Sequence, residues 1–281
     1  MKTKNLLYTL AIFAIVSIII SSCEKNSDES LEIEIAKDEA LSASLFDDVF
    51  VEVENAMENM EYRIYDGIKK SASDVVCKTI TIEHPNDSTL WPRTVIIDYG
   101  EGCVGPNGRE RKGKIIIVVY KHYLNAEYFR TVTFDNYYVN GNKIEGIKTV
   151  INKGFNDSRN MYFSHSLSEG KVITPEGLEL SKEYNRISEF VTGINTPRFR
   201  GDDEYMITGA ASGVNRDLVS YTRTIIEPLH VASSCKWILS GTVEIVAEEQ
   251  ETAIIDYGDD TCDDKATVTI GSTRLEINIR L

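Results

Sequence analysis

Lys265-Ala266-Thr267-Val268-Thr269-Ile270, the pair Gly271-Ser272, and Thr273-Arg274-Leu275-Glu276-Ile277-Asn278-Ile279 decide the fold class. Apolar and polar residues alternate on both sides of a two-residue turn, the pattern of an antiparallel hairpin with one buried face. Upstream, runs rich in Val, Ile, Thr, Tyr and Phe recur at Lys78–Glu83, Arg93–Tyr99, Lys114–Lys121, Glu127–Asp135, Lys143–Ile151, Leu218–Glu227, Thr242–Ala247 and Thr252–Tyr257. Turn residues stand between them, at Asn140-Gly141-Asn142, Lys153-Gly154 and Pro175-Glu176-Gly177. No helical spacer long enough for a parallel crossover intervenes. The spacing predicts a mainly β body over 71–281, an antiparallel sandwich or curved sheet.

One N-terminal amphipathic helix precedes it, over 35–70. Leu41, Leu45, Val49, Val53, Met57, Met60 and Ile64 recur every three or four residues. Glu39, Asp47, Glu54, Glu58 and Glu61 are expected on the opposite, solvated face. Gly67 is a plausible terminator, and Lys69 and Lys70 suit the negative end of the helix dipole. Such a helix draws most of its stability from docking on a sheet.

The β region carries an internal duplication, 77–103 and 235–262. Cys77-Lys78 is followed, twenty-one residues after the cysteine, by Asp98 within Ile96-Ile97-Asp98-Tyr99-Gly100, then by Cys103. Cys235-Lys236 is followed at the same interval by Asp256 within Ile254-Ile255-Asp256-Tyr257-Gly258, then by Cys262. A hairpin centred at Glu248-Glu249 sets Cys235 against Cys262, and one centred near Leu90 does the same for Cys77 and Cys103. Of the three pairings open to four cysteines, the predicted ones are therefore Cys77–Cys103 and Cys235–Cys262. The alternative is four buried free thiols.

The fifth cysteine has a different setting. Lys2 and Lys4 precede a nearly unbroken apolar run, Leu6 to Ile20, of about fifteen residues against the roughly twenty needed to span a bilayer. It ends in Ile20-Ser21-Ser22-Cys23, which resembles the lipobox of bacterial lipoproteins. The expectation is a signal peptide over 1–22, cleavage after Ser22, lipidation of Cys23, and attachment to a membrane through that lipid. Residues 23–34 include Glu24-Lys25-Asn26-Ser27-Asp28-Glu29-Ser30, too polar to bury apolar area, and read as a flexible tether. The formal net charge is −14, which with no basic cluster argues against nucleic acid as a partner.

Catalytic signatures do not emerge. His84, His122, His165 and His230 are scattered, and Gly209-Ala210-Ala211-Ser212-Gly213 has its serine one position late for a nucleophile elbow. Gly105-Pro106-Asn107-Gly108 links strands and opens no helix, so it is no phosphate cradle. Asp256, Asp259, Asp260, Asp263 and Asp264 are the carboxylates that Ca²⁺ favours, yet Asp and Gly are also ordinary turn formers; both readings stand at this point. Trp91, Trp237 and Tyr137-Tyr138 are of the type that stacks on sugars or packs in cores.

The lipobox at Cys23, the helix of Asp38–Ile64, and the blocks Ile97-Asp98-Tyr99-Gly100…Cys103…Asn107-Gly108-Arg109…Gly113-Lys114-Ile115 and Cys235…Trp237…Gly241-Thr242…Asp256-Tyr257-Gly258…Cys262-Asp263 together resemble uncharacterised Bacteroidota cell-envelope lipoproteins. The resemblance implies an outer-membrane lipoprotein with a β-rich body, surface-exposed or periplasm-facing, and supplies no activity. The expected function is a non-enzymatic binding or scaffolding domain, its partner a glycan or another envelope protein. The alternatives are a polysaccharide hydrolase with a carboxylate pair not identifiable in sequence, and a purely structural envelope component.

Overall fold

The computed structural model describes residues 38–39, 41–57, 60, 77–83, 91–105, 108–196, 200–235 and 237–278. The expected signal peptide over 1–22, Cys23, the expected tether over 23–34, and the expected helix residues 35–37, 40, 58–59 and 61–70 lie outside these. Helix α1 runs through 41–57, with 38, 39 and 60 also helical.

Fourteen strands follow: β1 (Thr79–Glu83), β2 (Arg93–Asp98), β3 (Cys103–Val104), β4 (Glu110–Val119), β5 (Phe129–Val139), β6 (Asn142–Phe155), β7 (Met161–Ile173), β8 (Glu179–Thr192), β9 (Glu204–Val214), β10 (Ser220–Ala232), β11 (Ile238–Ala247), β12 (Ala253–Asp259), β13 (Lys265–Ile270) and β14 (Thr273–Asn278). All belong to one antiparallel sheet in which each strand pairs with its successor, except that β2 pairs β4 and the two-residue β3 lies off the path against β4. The protein is therefore mainly β, and its architecture is a single open sheet with one short helix.

The sheet wraps around the helix. On α1 only Asp47, Phe50, Val51 and Asn55 are exposed; at ~100° per residue they form one stripe, and the rest of the circumference is covered. Glu52 meets Tyr99 beside β2 at 2.6 Å, while Glu39 meets Tyr221 on β10 at 2.9 Å. Seven strand spacings separate β2 from β10, about 34 Å if the sheet were flat. Glu39 and Glu52 lie only about 20 Å apart along a helix. The sheet has to curl for both contacts to form.

The core lies in the trough so made. Leu45, Phe46, Val49, Val53, Met57 and Met60 of α1 pack with Val95, Ile97, Ile115, Ile117, Val132, Val150 and Leu167 of the strands. A second, smaller core joins Tyr221, Ile225, Leu229, Val243 and Ile245 of β10 and β11. Three strands, β7 to β9, occupy a stretch in which sequence periodicity marks no run.

Cys77 is bonded to Cys103 and Cys235 to Cys262, the predicted pairing. The geometry differs from a simple cross-strand bridge. Cys77 precedes β1 while Cys103 begins β3, which pairs β4 and not β1. Cys235 and Cys262 likewise flank the β11–β12 hairpin. Each bond ties the two ends that enter and leave a hairpin.

Candidate functional site

The face that α1 covers carries charge as well as apolar side chains. Opposed residues of an antiparallel ladder share a face, and the register Arg130↔Val150↔His165↔Arg186 runs straight across β5 to β8. Lys148, two residues from Val150, and Lys182, four from Arg186, share that face. Arg111 and Arg223 sit on β4 and β10. Arg111, Arg130, Lys148, Lys182 and Arg223 are all buried.

Helix acids answer most of these cations. Arg111 grips Asp48 with two hydrogen bonds, 2.9 Å from Nε and 2.6 Å from the second guanidinium nitrogen, the bidentate geometry that suits carboxylates. Lys78 and Tyr99 both donate to Glu52, and Arg130 donates to Glu54. Lys182 Nζ is 2.6 Å from Glu39 Oε2, with Arg223 at 3.4 Å from the other oxygen. Asp38 takes Arg216 Nε at 2.9 Å. Burial alone would raise the Glu39 carboxyl, but Lys182 and Arg223 hold it below the usual range. Glu52 is kept low in the same way by Lys78 and Tyr99.

This corrects the expected solvated face of the helix. Asp47 is exposed as predicted, but Glu39 is 4 % exposed and Glu54 is half-buried against Arg130; Asp48 and Glu52 are buried as well, and Glu58 and Glu61 lie outside the described residues. A buried carboxylate needs a cation and hydrogen bonds to offset its desolvation, and here the strands supply them.

The middle of the trough is less balanced. Lys148 Nζ rests 4.6 Å from the Phe50 ring centroid, and the Arg186 guanidinium lies 4.6 Å from that of Tyr184. Neither has a carboxylate within ion-pair distance among the described residues. Burial, then Arg130 and Arg186, pull Lys148 down to about 8 against the pull of Asp47 and Glu54. His165 Nε2 lies 2.7 Å from Ser188 Oγ, and burial with the same cations pushes the imidazole well below its ordinary value. It stays neutral at pH 7.

The acidic loop of the second repeat behaves as a set of turns. Asp256 accepts from Gly258 N at 2.9 Å, Asp259 from Thr261 Oγ1 at 2.9 Å, and Asp263 from Lys265 N at 3.0 Å. Asp260 accepts from Ser240 Oγ at 2.5 Å and from His230 Nδ1 at 2.7 Å. Asp256, Asp259 and Asp263 line a hollow of about 370 Å³ together with Lys265, Arg274 and Glu276, whereas Asp260 and Asp264 do not line it. Among the described residues no three side chains of His, Cys, Asp or Glu converge as a metal site. The five aspartates are not drawn to one point, and four of them, Asp256, Asp259, Asp260 and Asp263, spend an oxygen on a neighbouring donor.

The remaining sequence signals are dispersed. Ser212 lies within β9, not at a strand-to-helix corner. Tyr137 is buried in the core and Trp91 packs against it. The cations of the trough were missed, although one signal exists: Lys182 and Arg186 alternate with Leu180, Tyr184 and Phe190 at the parity of a buried face. No protein-family model, curated protein or solved structure matches the chain.

Proposed function

We propose that the chain is a lipid-anchored protein of the outer membrane whose β body binds or scaffolds another envelope protein without catalysis. The observation that carries this reading is the far end of the sheet. β14 is exposed along its whole length, Leu275 and Ile277 included, and among the described residues its outer edge is unpaired. The Gly271-Ser272 turn closes on the Ile270↔Thr273 pair, which aims the N–H groups of Arg274, Glu276 and Asn278 at the free edge. An exposed strand edge of this kind accepts an added strand. No aromatic residue stands on β14, so the surface fits a polypeptide better than a sugar. The lipobox at Cys23 supports the anchor. Among the described residues no helix is long and apolar enough to cross a membrane.

A photocrosslinking side chain in place of Leu275, in intact cells, tests the surface. The expected result is one protein adduct of defined mass, lost when Glu276→Pro removes an outward N–H without touching the ladder to β13. No adduct, or the same adducts from the exposed control position Phe155, would defeat the reading. New reducing ends released from envelope polysaccharide by the purified protein would put the hydrolase in its place. Mass spectrometry of the native protein should find Cys23 acylated.

A further inference from the structure

Five cations, Arg130, Lys148, Lys182, Arg186 and Arg223, share the inner face of β5 to β10. The helix groups that act on them are Glu39, Asp47 and Glu54. Glu39 is spent on Lys182 and Arg223, and Glu54 on Arg130. Asp47 acts on Lys148 and Arg223 only from beyond ion-pair distance. Among the described residues the basin is left two positive charges in excess.

Its donors are also left open. Arg130 Nε and Arg186 Nε are buried and make no hydrogen bond, although buried polar groups nearly always find a partner. Both lie on the face that holds Lys148, which sits across β6 between them in the ladder. Burying a cation without an anion is among the costlier things a fold can do. A sheet that leaves Lys148 on β6 and Arg186 on β8 without an anion, beside Arg130 on β5, has the composition of a site whose anion is a ligand. Two guanidinium edges and one ammonium suit an oxyanion: the first give directional N–H donors, the second a point charge. Arg186 is only half-buried, and offers the way in.

We propose that Arg130, Lys148 and Arg186 form a binding site for a dianionic phosphate or sulfate group, held between the sheet and the outward stripe of α1. The site is separate from the β14 edge and does not depend on what that edge binds.

The test uses the mature protein at pH 7.5, melted in sodium chloride of matched ionic strength with added hydrogen phosphate, sulfate or acetate. Phosphate and sulfate should raise the melting temperature by several degrees and saturate, and acetate should do neither. Lys148→Met and Arg186→Gln should each abolish the rise. The two conditions also reverse an order. Without the dianion Lys148→Met should melt at or above the wild type, because it removes an uncompensated buried cation; in saturating phosphate it should melt below. Lys148 is faced by Arg130 on β5, His165 on β7, Arg186 on β8, and Asp47 and Glu54 on α1. Since it loses its proton near 8, phosphate affinity in the wild type should fall several-fold between pH 7.5 and pH 9.5. Glucose 6-phosphate binding tenfold tighter than phosphate assigns the group to a phosphosugar; equal affinity assigns it to the free ion. An equal rise with all three anions, or a rise that survives in both variants, overturns the site.

Discussion

At Asp98 and again at Asp256 the chain makes the same corner in different surroundings. Each aspartate accepts from the N–H of the glycine two residues on, at 2.8 Å for Gly100 and 2.9 Å for Gly258. Each corner is followed by a half-cystine bonded to the cysteine that opened the repeat. There the likeness stops. In the first copy Ile97 is fully buried and Tyr99 is 6 % exposed. In the second, Ile255 and Tyr257 are half-buried. The registers differ too. Asp98 faces Thr79, two residues after Cys77, whereas Asp256 faces Thr242, seven residues after Cys235 and past a register shift between β11 and β12. Five identical residues thus specify the turn and the bridge but neither the register nor the depth. Depth comes from α1, which lies on the first copy, whereas Tyr257 of the second meets Arg223 of β10, which in turn pairs with Glu39.

The largest expected effects come from the feature the copies share. The bridged residues are 26 and 27 apart, so the chain-entropy model assigns about 3.5 kcal/mol to either bond. Cys77→Ala/Cys103→Ala and Cys235→Ala/Cys262→Ala should therefore lose nearly equal stability in urea unfolding. A much greater loss in the first pair would show that the bond also holds the seat of α1, and that the copies differ in more than cover.

Next come the paired isoleucines, where cover decides. Ile97→Ala opens a cavity beneath the helix and should cost about 3 kcal/mol. Ile255→Ala removes partly wetted area and should cost about 1 kcal/mol. Equal losses in thermal or chemical unfolding would mean that α1 does not shield the first corner in solution.

The same contrast explains how much of the molecule can be read from its residues. Strands such as β13 and β14 are legible because Ala266, Val268 and Ile270 alternate with polar neighbours on either side of a tight turn. The apolar stripe of α1 is legible for the same reason, and so is the cysteine pairing. β7 and β8 are not, because their inward positions hold His165, Lys182 and Arg186 where the alternation rule looks for Val or Leu, and neither is β9. Gly209 adds to this: a Cβ there would lie 2.2 Å from the Asn185 carbonyl oxygen, so close approach of β9 to β8 replaces a packed side chain with none. The candidate site was hidden with those strands. A buried lysine is indistinguishable in sequence from a solvated one, and only the curl of the sheet brings Lys148 under Phe50.

The smallest effect belongs to a contact the second corner has and the first lacks. His230 on β10 lies 2.7 Å from Asp260 and 3.3 Å from Glu204, and the hydrogen bond to Asp260 leads in raising the imidazole above its ordinary value. In the first copy Asp98 has the ammonium of Lys114 at 3.2 Å instead of an imidazole. The protonated imidazole favours the folded state, so this contribution is complete below about 6.5 and disappears as pH rises through the raised value. Asp260 is exposed enough for solvent to screen most of the pair, and the thermal midpoint should hardly register it. The ring itself reports more sharply. In a proton NMR titration His230 should change charge above 6.5, return toward 6.5 in Asp260→Asn, and be unmoved by Asp98→Asn. If His230 titrates at or below the ordinary value, the second corner holds no ion pair. The two repeats would then differ in burial and register alone.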